Sequence, residues 1–224
     1  MEKEIFDNIA NYYDKWFETP LGRKVYLSEK RAIEGLIENG EGKIALDLGI
    51  GTGLFTQILR EKGYKVVGID ISEEMLKIAR KRGFEVIKGD LNNPLPFEEE
   101  SFDFIFSMTA IEFLKKPEKL IKEANRVLRK DGKFLLITLN SLSLWAFVRR
   151  IKGIFIKDYV FNEGRFYSPN SLKMLFNKKW LILKIGTCTF IPPWNPIFPS
   201  FWENIFNKIF HFSGAISFIL AKKH

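Results

Sequence analysis

Cysteine and histidine are almost missing from this chain. The one cysteine, Cys188, excludes an internal disulfide and any cysteine-cluster zinc site. Histidine occurs only at His211 and His224, the second of them terminal, so no metal is expected. Glutamine occurs once, at Gln57, against a wealth of Lys, Glu and Ile, a bias that points to a thermophilic source. No apolar run reaches the roughly 18 residues that a membrane helix needs. The first residues, MEKEIFDNIANYYD, are polar and acidic, so no secretory signal is expected and a cytoplasmic location is. No internal repeat or low-complexity segment stands out.

What is present is an ordinary apolar share, 46%, in 224 residues, which fits one domain over 1–224. The net charge of +8 is unevenly spread. Residues 1–112 hold 15 Lys+Arg and 21 Asp+Glu, a balance of −6; residues 113–224 hold 20 and 6, a balance of +14. Such a split is read either as solvated lysines on helix faces or as an attraction to an anionic substrate, an anionic membrane surface or RNA.

The chain is organised around Lys43 to Gln57, KIALDLGIGTGLFTQ. Ile44, Ala45, Leu46 and Leu48 make the short apolar run of a strand buried on both faces. Gly49, Gly51 and Gly53 follow, residues that tolerate positive φ and let a ligand approach the backbone. Leu54, Phe55, Ile58 and Leu59 then recur at helical spacing. Strand, glycine turn and helix place a ligand at the carboxyl edge of a sheet. A dinucleotide turn reads G-x-G-x-x-G, but Leu54 stands at the position for its last glycine. Here the pattern is D-x-G-x-G-x-G, and Asp47 ahead of the glycines suits a ligand with positive charge. A second buried strand, Tyr64 to Ile69, ends at Asp70, where a carboxylate can accept both hydroxyls of a ribose. Ser72 then caps a helix whose first turn is acidic. A third strand, Phe84 to Ile87, leads to Asp90. Three acids thus end three successive strands, and an NAD enzyme does not need the third.

These residues resemble the motifs of class I S-adenosylmethionine (SAM) methyltransferases, of the ubiquinone/menaquinone-methyltransferase-like group. DLGIGTG looks like the first motif, GIDISEEMLKIAR like the second, and GDL…LPF…SFD like the third. NRVLRKDGKFLLI is similar to the family's R-V-L-K-P-G-G element, with Asp131 and Lys133 as mild departures. The resemblance implies an α/β fold: a Rossmann-like, seven-stranded, mostly parallel sheet with helices on both faces. It implies a helical cap over 1–42, a cofactor core over 43–138, and a lid after the fifth strand plus the final antiparallel strands over 139–224. By resemblance, Asp70 holds the ribose, Ile71 packs on the adenine, Asp90 accepts from its amino group and the Leu91 backbone meets the ring edge. Met75 lies in the second motif and Ser107 on the edge facing the transferable methyl. Tyr13 of the Tyr13-Asp14 pair matches a tyrosine that contacts the methionine end of the cofactor; simple packing of the cap on the core is an equal reading.

Around this core, residues 4–18 and 23–37 carry helical periodicity, with Thr19 to Gly22 breaking it. In residues 140–161, Leu144, Val148, Ile151 and Phe155 fall on one helical line, with Arg149, Arg150, Lys152 and Lys157 off it. That segment is expected to pack as a lid or as core, with a membrane-surface helix as the other reading. Ser168-Pro169 opens a further helix, Trp180 to Thr189 reads as a strand, residues 190–212 are dense in aromatics and proline, and 214–220 is a last apolar run. No D/N-P-P-Y/F box or Pro-Cys nucleophile is present, which disfavours both DNA-methylating classes.

The expected reaction is methyl transfer from SAM, leaving S-adenosylhomocysteine (SAH), to a small hydrophobic or aromatic acceptor. Positioning and desolvation carry such chemistry, so no catalytic triad is required. Trp16, Trp145 and His211 are candidates at the acceptor end, with Glu112 and Tyr167 by position. Peripheral membrane contact and nucleic acid remain open as partners. The alternatives are an RNA-directed enzyme or basic RNA-binding protein retaining the fold and, further off, an NAD(P)-dependent oxidoreductase.

Overall fold

The computed structural model describes residues 2–156, 160–194 and 211–224. The apolar run after Lys43 forms β1 (Ile44–Leu48), in the middle of a seven-stranded sheet. On one side lie β2 (Lys65–Asp70) and β3 (Glu85–Lys88); on the other, β4 (Phe102–Met108) and β5 (Leu128–Leu139). All five are parallel. The chain then returns through β6 (Trp180–Cys188) and β7 (Ile216–Lys223). β7 slots antiparallel between β5 and β6, giving the order β3-β2-β1-β4-β5-β7-β6.

Each central strand is apolar on both faces because both faces are covered. Leu46, Leu48, Ile105, Phe134 and Leu136 belong to one core, with Leu120, Ile121 and Ala124 of α5 (Pro117–Val127) and Leu172 of α7 (Pro169–Lys173). Their alternate neighbours Ala45, Phe104, Phe106, Leu135 and Ile137 belong to the other. That core is closed by Ile33 of α2 (Pro20–Glu34), Ile58 and Leu59 of α3 (Gln57–Glu61), and Leu76 and Ala79 of α4 (Glu73–Lys81). Asp47 alternates with Leu46 and Leu48, so it points to the α3 side of the sheet.

Several boundaries differ from the periodicity, each for a local reason. α1 (Glu2–Glu18) and α2 are separated by Thr19 alone, whose side chain accepts from the Gly22 amide, with Pro20 as the first helical residue. Proline here starts a helix, since its missing N–H is one that the first turn leaves unpaired anyway. α3 begins only at Gln57: after Gly53 at φ +78°, Ile58 and Leu59 donate to the carbonyls three residues back, Phe55 and Thr56, and the first bond four residues back is from Arg60 to Thr56. β5 takes in Leu128 ahead of the regular pairing: residues 129–132 form an irregularity, with Asp131 at φ +64°, between the pairs Phe102–Leu128 and Phe104–Lys133.

α6 (Leu144–Phe155) is the helix expected as lid or core. Its expected line of apolar residues is not packed away: Leu144, Ile151 and Phe155 are exposed, and Ala146 is the buried residue of the helix. Lys157 lies outside the described residues, as do Pro196, Phe198, Pro199, Phe201, Trp202, Phe206 and Phe210 of the aromatic stretch.

Candidate cofactor and acceptor site

A cleft, open at its mouth, lies along the carboxyl edge of β1, β2 and β3. Its floor is the glycine turn. Gly49 takes φ +80°, and a Cβ there would fall 2.4 Å from the Ala110 side chain. Gly51 takes φ +55° and lines the cleft, and a Cβ there would meet no protein atom within 4 Å. The turn leaves an open cradle at Gly51, as a bound ligand requires.

The three acids at the strand ends all line this cleft. Asp70 accepts from the amides of Gly51 (2.8 Å) and Ser72 (2.9 Å), which aims its carboxylate at the glycine turn. Burial pushes its pKa up, and the amides that it accepts from oppose that shift. Asp47 is nearly fully buried and accepts from the Thr56 hydroxyl at 2.6 Å. Burial raises its pKa to about 7; the bond from Thr56 lowers it and the neighbouring Asp70 raises it further. Asp90 is fixed by Asn92, whose amide and side chain both donate to it, at 2.8 and 2.9 Å.

The cap closes the cleft from above. Asp14 accepts from the Thr52 hydroxyl of the glycine turn (2.8 Å) and from Arg82 (2.6 Å). Asp7 accepts from Ser72 at 2.6 Å, tying α1 to the start of α4. These two anchors bring Tyr13 to the cleft wall. Its phenol bonds to Thr109, and burial pushes its pKa well above the usual tyrosine range. Thr109 itself sits at φ +52°, a strained backbone for a β-branched residue at the end of β4.

Tyr13, Asp47, Gly49, Gly51, Asp70, Ile71, Met75, Asp90 and Leu91 thus meet around one space. Gly53 and Ser107 do not reach it. Gly53 lets Phe84 pack close, since a Cβ would lie 2.8 Å from that ring. The Ser107 hydroxyl is spent on the Leu48 carbonyl at 2.8 Å, joining β4 to β1. Sequence reasoning missed Phe6, Phe106, Met108, Phe113 and Leu114, which give the cleft an apolar wall. Phe106 and Met108 were legible as the continuation of β4. Phe6 and Phe113 meet edge to face at 5.0 Å across some hundred residues, and no local pattern signals that.

The expected acceptor-end residues do not line the cleft. Trp16 and Trp145 stack edge to face at 6.1 Å, joining α1 to α6. Glu112 is fully buried behind the wall, with one oxygen accepting from the Leu139 amide at 2.6 Å and its pKa raised to about 7 by burial. Tyr167 is buried in the α5–α7 core near Glu112. His211 stacks on Phe212, and its carbonyl accepts from Thr187. A further buried charge was not foreseen. Glu29 of α2 has its pKa raised to about 8 by burial, against the opposing charge of Arg149 on α6. Arg149 lies over the rings of Trp145 and Phe161, at 5.3 and 5.0 Å. Among the described residues, no cluster of three His, Cys, Asp or Glu could hold a metal.

A doubly wound sheet with a final antiparallel pair and a cleft over three strand-end acids defines a nucleotide-cofactor class of α/β protein. The comparisons narrow it. The family model described as a methyltransferase domain matches residues 46–136. A demethylmenaquinone methyltransferase of Thermotoga maritima is 31% identical over 73% of this chain and 72% of its own. An uncharacterised protein of Methanocaldococcus jannaschii is 43% identical over 59% of this chain, and the match spans 60% of that relative's length. A crystal structure of a SAM-dependent methyltransferase, possible histamine N-methyltransferase, from Thermotoga maritima superposes with a TM-score of 0.78 at 30% identity, covering 100% of both chains. This chain belongs to the SAM-dependent methyltransferases.

Proposed function

We propose that this protein transfers a methyl group from SAM to a small hydrophobic or aromatic acceptor. The observation that carries the reading is the convergence of Asp47, Asp70 and Asp90 on one cleft with an apolar wall. Carboxylates at three strand ends suit a ligand with hydroxyl and amino donors and one cationic end, and the open cradle at Gly51 fits a group lying against the backbone. In this reading Asp70 accepts the ribose hydroxyls, Ile71 and Leu91 enclose the adenine, and Asp90 accepts from its amino group. Asp47 and Tyr13 face the methionine end. When bound, the cofactor supplies an electrophilic methyl on sulfur. The protein's part is positioning and exclusion of water, in which Phe6, Phe113, Met108 and Leu114 replace solvent around the acceptor.

The apolar wall supports a lipophilic or aromatic acceptor over a strongly charged one. The name of the Thermotoga demethylmenaquinone methyltransferase accords with this, and the histamine in the structural neighbour's name keeps aromatic amines within the range. The test is calorimetric titration with SAH for wild type and Asp70→Ala, followed by transfer of labelled methyl to quinols, phenols and aromatic amines. Expected are SAH binding that Asp70→Ala abolishes and turnover on an apolar aromatic acceptor. SAH binding that survives Asp70→Ala would refute the assigned ribose contact. Transfer only to RNA would refute the acceptor class.

A further inference from the structure

α6 exposes what a core or lid helix would bury. Ile154 and Phe155 are 79% and 82% exposed, Phe147 is 58% exposed, and Leu144 and Ile151 are exposed beside them. At about 100° per residue these five fall within one arc about 100° wide. Exposed Arg150 and Lys152 border that arc, one on each side. Residues 140–156 hold three cations and no acid. The opposite side of the helix is anchored: Ala146 is buried, Ser143 caps the first turn by accepting from the Ala146 amide, and the Trp145 indole donates to the Ile191 carbonyl at 2.7 Å. The exposed stripe is therefore held in place on a fixed helix.

From this we infer that α6 seats the protein on an anionic lipid surface, with its apolar arc in the acyl boundary and its flanking cations among the headgroups. An apolar arc with cations on both borders is the layout of a helix lying in a membrane interface, where long basic side chains reach back to the phosphates. Charge decides between occupants. A second copy of this chain would bring the same cations against these ones, with no acid in the segment to answer them; anionic lipid answers both. Two further aromatics are exposed on α1, the helix that packs on α6 through Trp145. Trp16, which meets Trp145, and Tyr12, one turn earlier on α1, are amphipathic rings suited to headgroup depth. Tyr13, on the same helix as these rings, lines the cleft.

The experiment is co-sedimentation of the full chain with vesicles of equimolar phosphatidylglycerol and phosphatidylcholine, and with vesicles of phosphatidylcholine alone. A double variant, Phe147→Glu with Phe155→Glu, is compared with wild type, and SAH binding and the melting temperature report that it folds. Expected is binding to the anionic vesicles that weakens with salt, falls about tenfold or more on neutral vesicles, and falls at least as far in the double variant. Absence of wild-type binding to the anionic vesicles would overturn the inference. So would equal binding by a folded double variant. A wild-type dimer that the same substitutions convert to monomer, seen by light scattering, would reassign the face to self-association. Because SAH binding is read separately, a failure of lipid docking leaves the methyltransferase reading untouched, and the reverse.

Discussion

Gly51→Ala separates the ligand's demands from those of the fold. The added methyl meets no protein atom within 4 Å, so overpacking costs nothing. The backbone at φ +55° costs an L-residue about 1–2 kcal/mol. For a chain of this size each kcal/mol lowers Tm by about 2–4 °C, so a fall of about 2–8 °C is expected. The methyl projects from a residue that lines the cleft, where the proposed cofactor would lie against the backbone. SAH affinity should therefore fall by at least tenfold, about 1.4 kcal/mol. Gly53→Ala is the matched control: it pairs similar backbone strain at φ +78° with a Cβ 2.8 Å from the Phe84 ring. Overpacking of that kind adds about 1–3 kcal/mol. Its loss should register first in Tm, and remaining folded protein should still bind SAH. Differential scanning calorimetry and isothermal titration read the two quantities apart. If folded Gly51→Ala bound SAH as wild type does, the glycine turn would not be the cofactor cradle.

Other outcomes follow from the buried carboxylates. Asp47, with its pKa raised to about 7, holds a proton in acid that a ligand bearing an ammonium must displace. SAH affinity should rise with pH up to about 7, by at most about tenfold per unit, and then level; titration across this range with Asp47→Asn should show the slope removed. Glu29 has its folded pKa raised to about 8 by burial, so its contribution to stability is fully present below the carboxylate's unfolded pKa and is lost as pH rises toward 8. Glu29→Gln should therefore raise Tm relative to wild type at pH 8 and change it little at pH 5. A difference of the opposite sign would mean that Arg149 outweighs desolvation at this site.

The five parallel strands and the acids at three of their ends were legible because their signals are local. A strand buried on both faces writes itself as a continuous apolar run, as in Ile44–Leu48, and the acid or glycine that ends it is adjacent in the chain. Helix starts were legible where a capping side chain announces them, as at Ser72 and Ser168, whose hydroxyls accept from Met75 and Ser171. The break expected over Thr19 to Gly22 is present at Thr19, but Pro20 to Gly22 already belong to α2, because the same residues serve to end one helix and to begin another.

The tertiary structure alone decided the rest. The positions of Tyr13 over the cleft, through Asp14, Thr52 and Arg82, and of Glu29 against Arg149 depend on pairs separated by many residues, which no periodicity records. Thr109, at the end of β4 and lining the cleft, is left-handed although its residue type argues against it. Most tellingly, one apolar stripe on α6 reads the same whether it faces a core or a lipid surface. Periodicity reports that a helix has an apolar face; only the packing of its neighbours determines whether that face is covered.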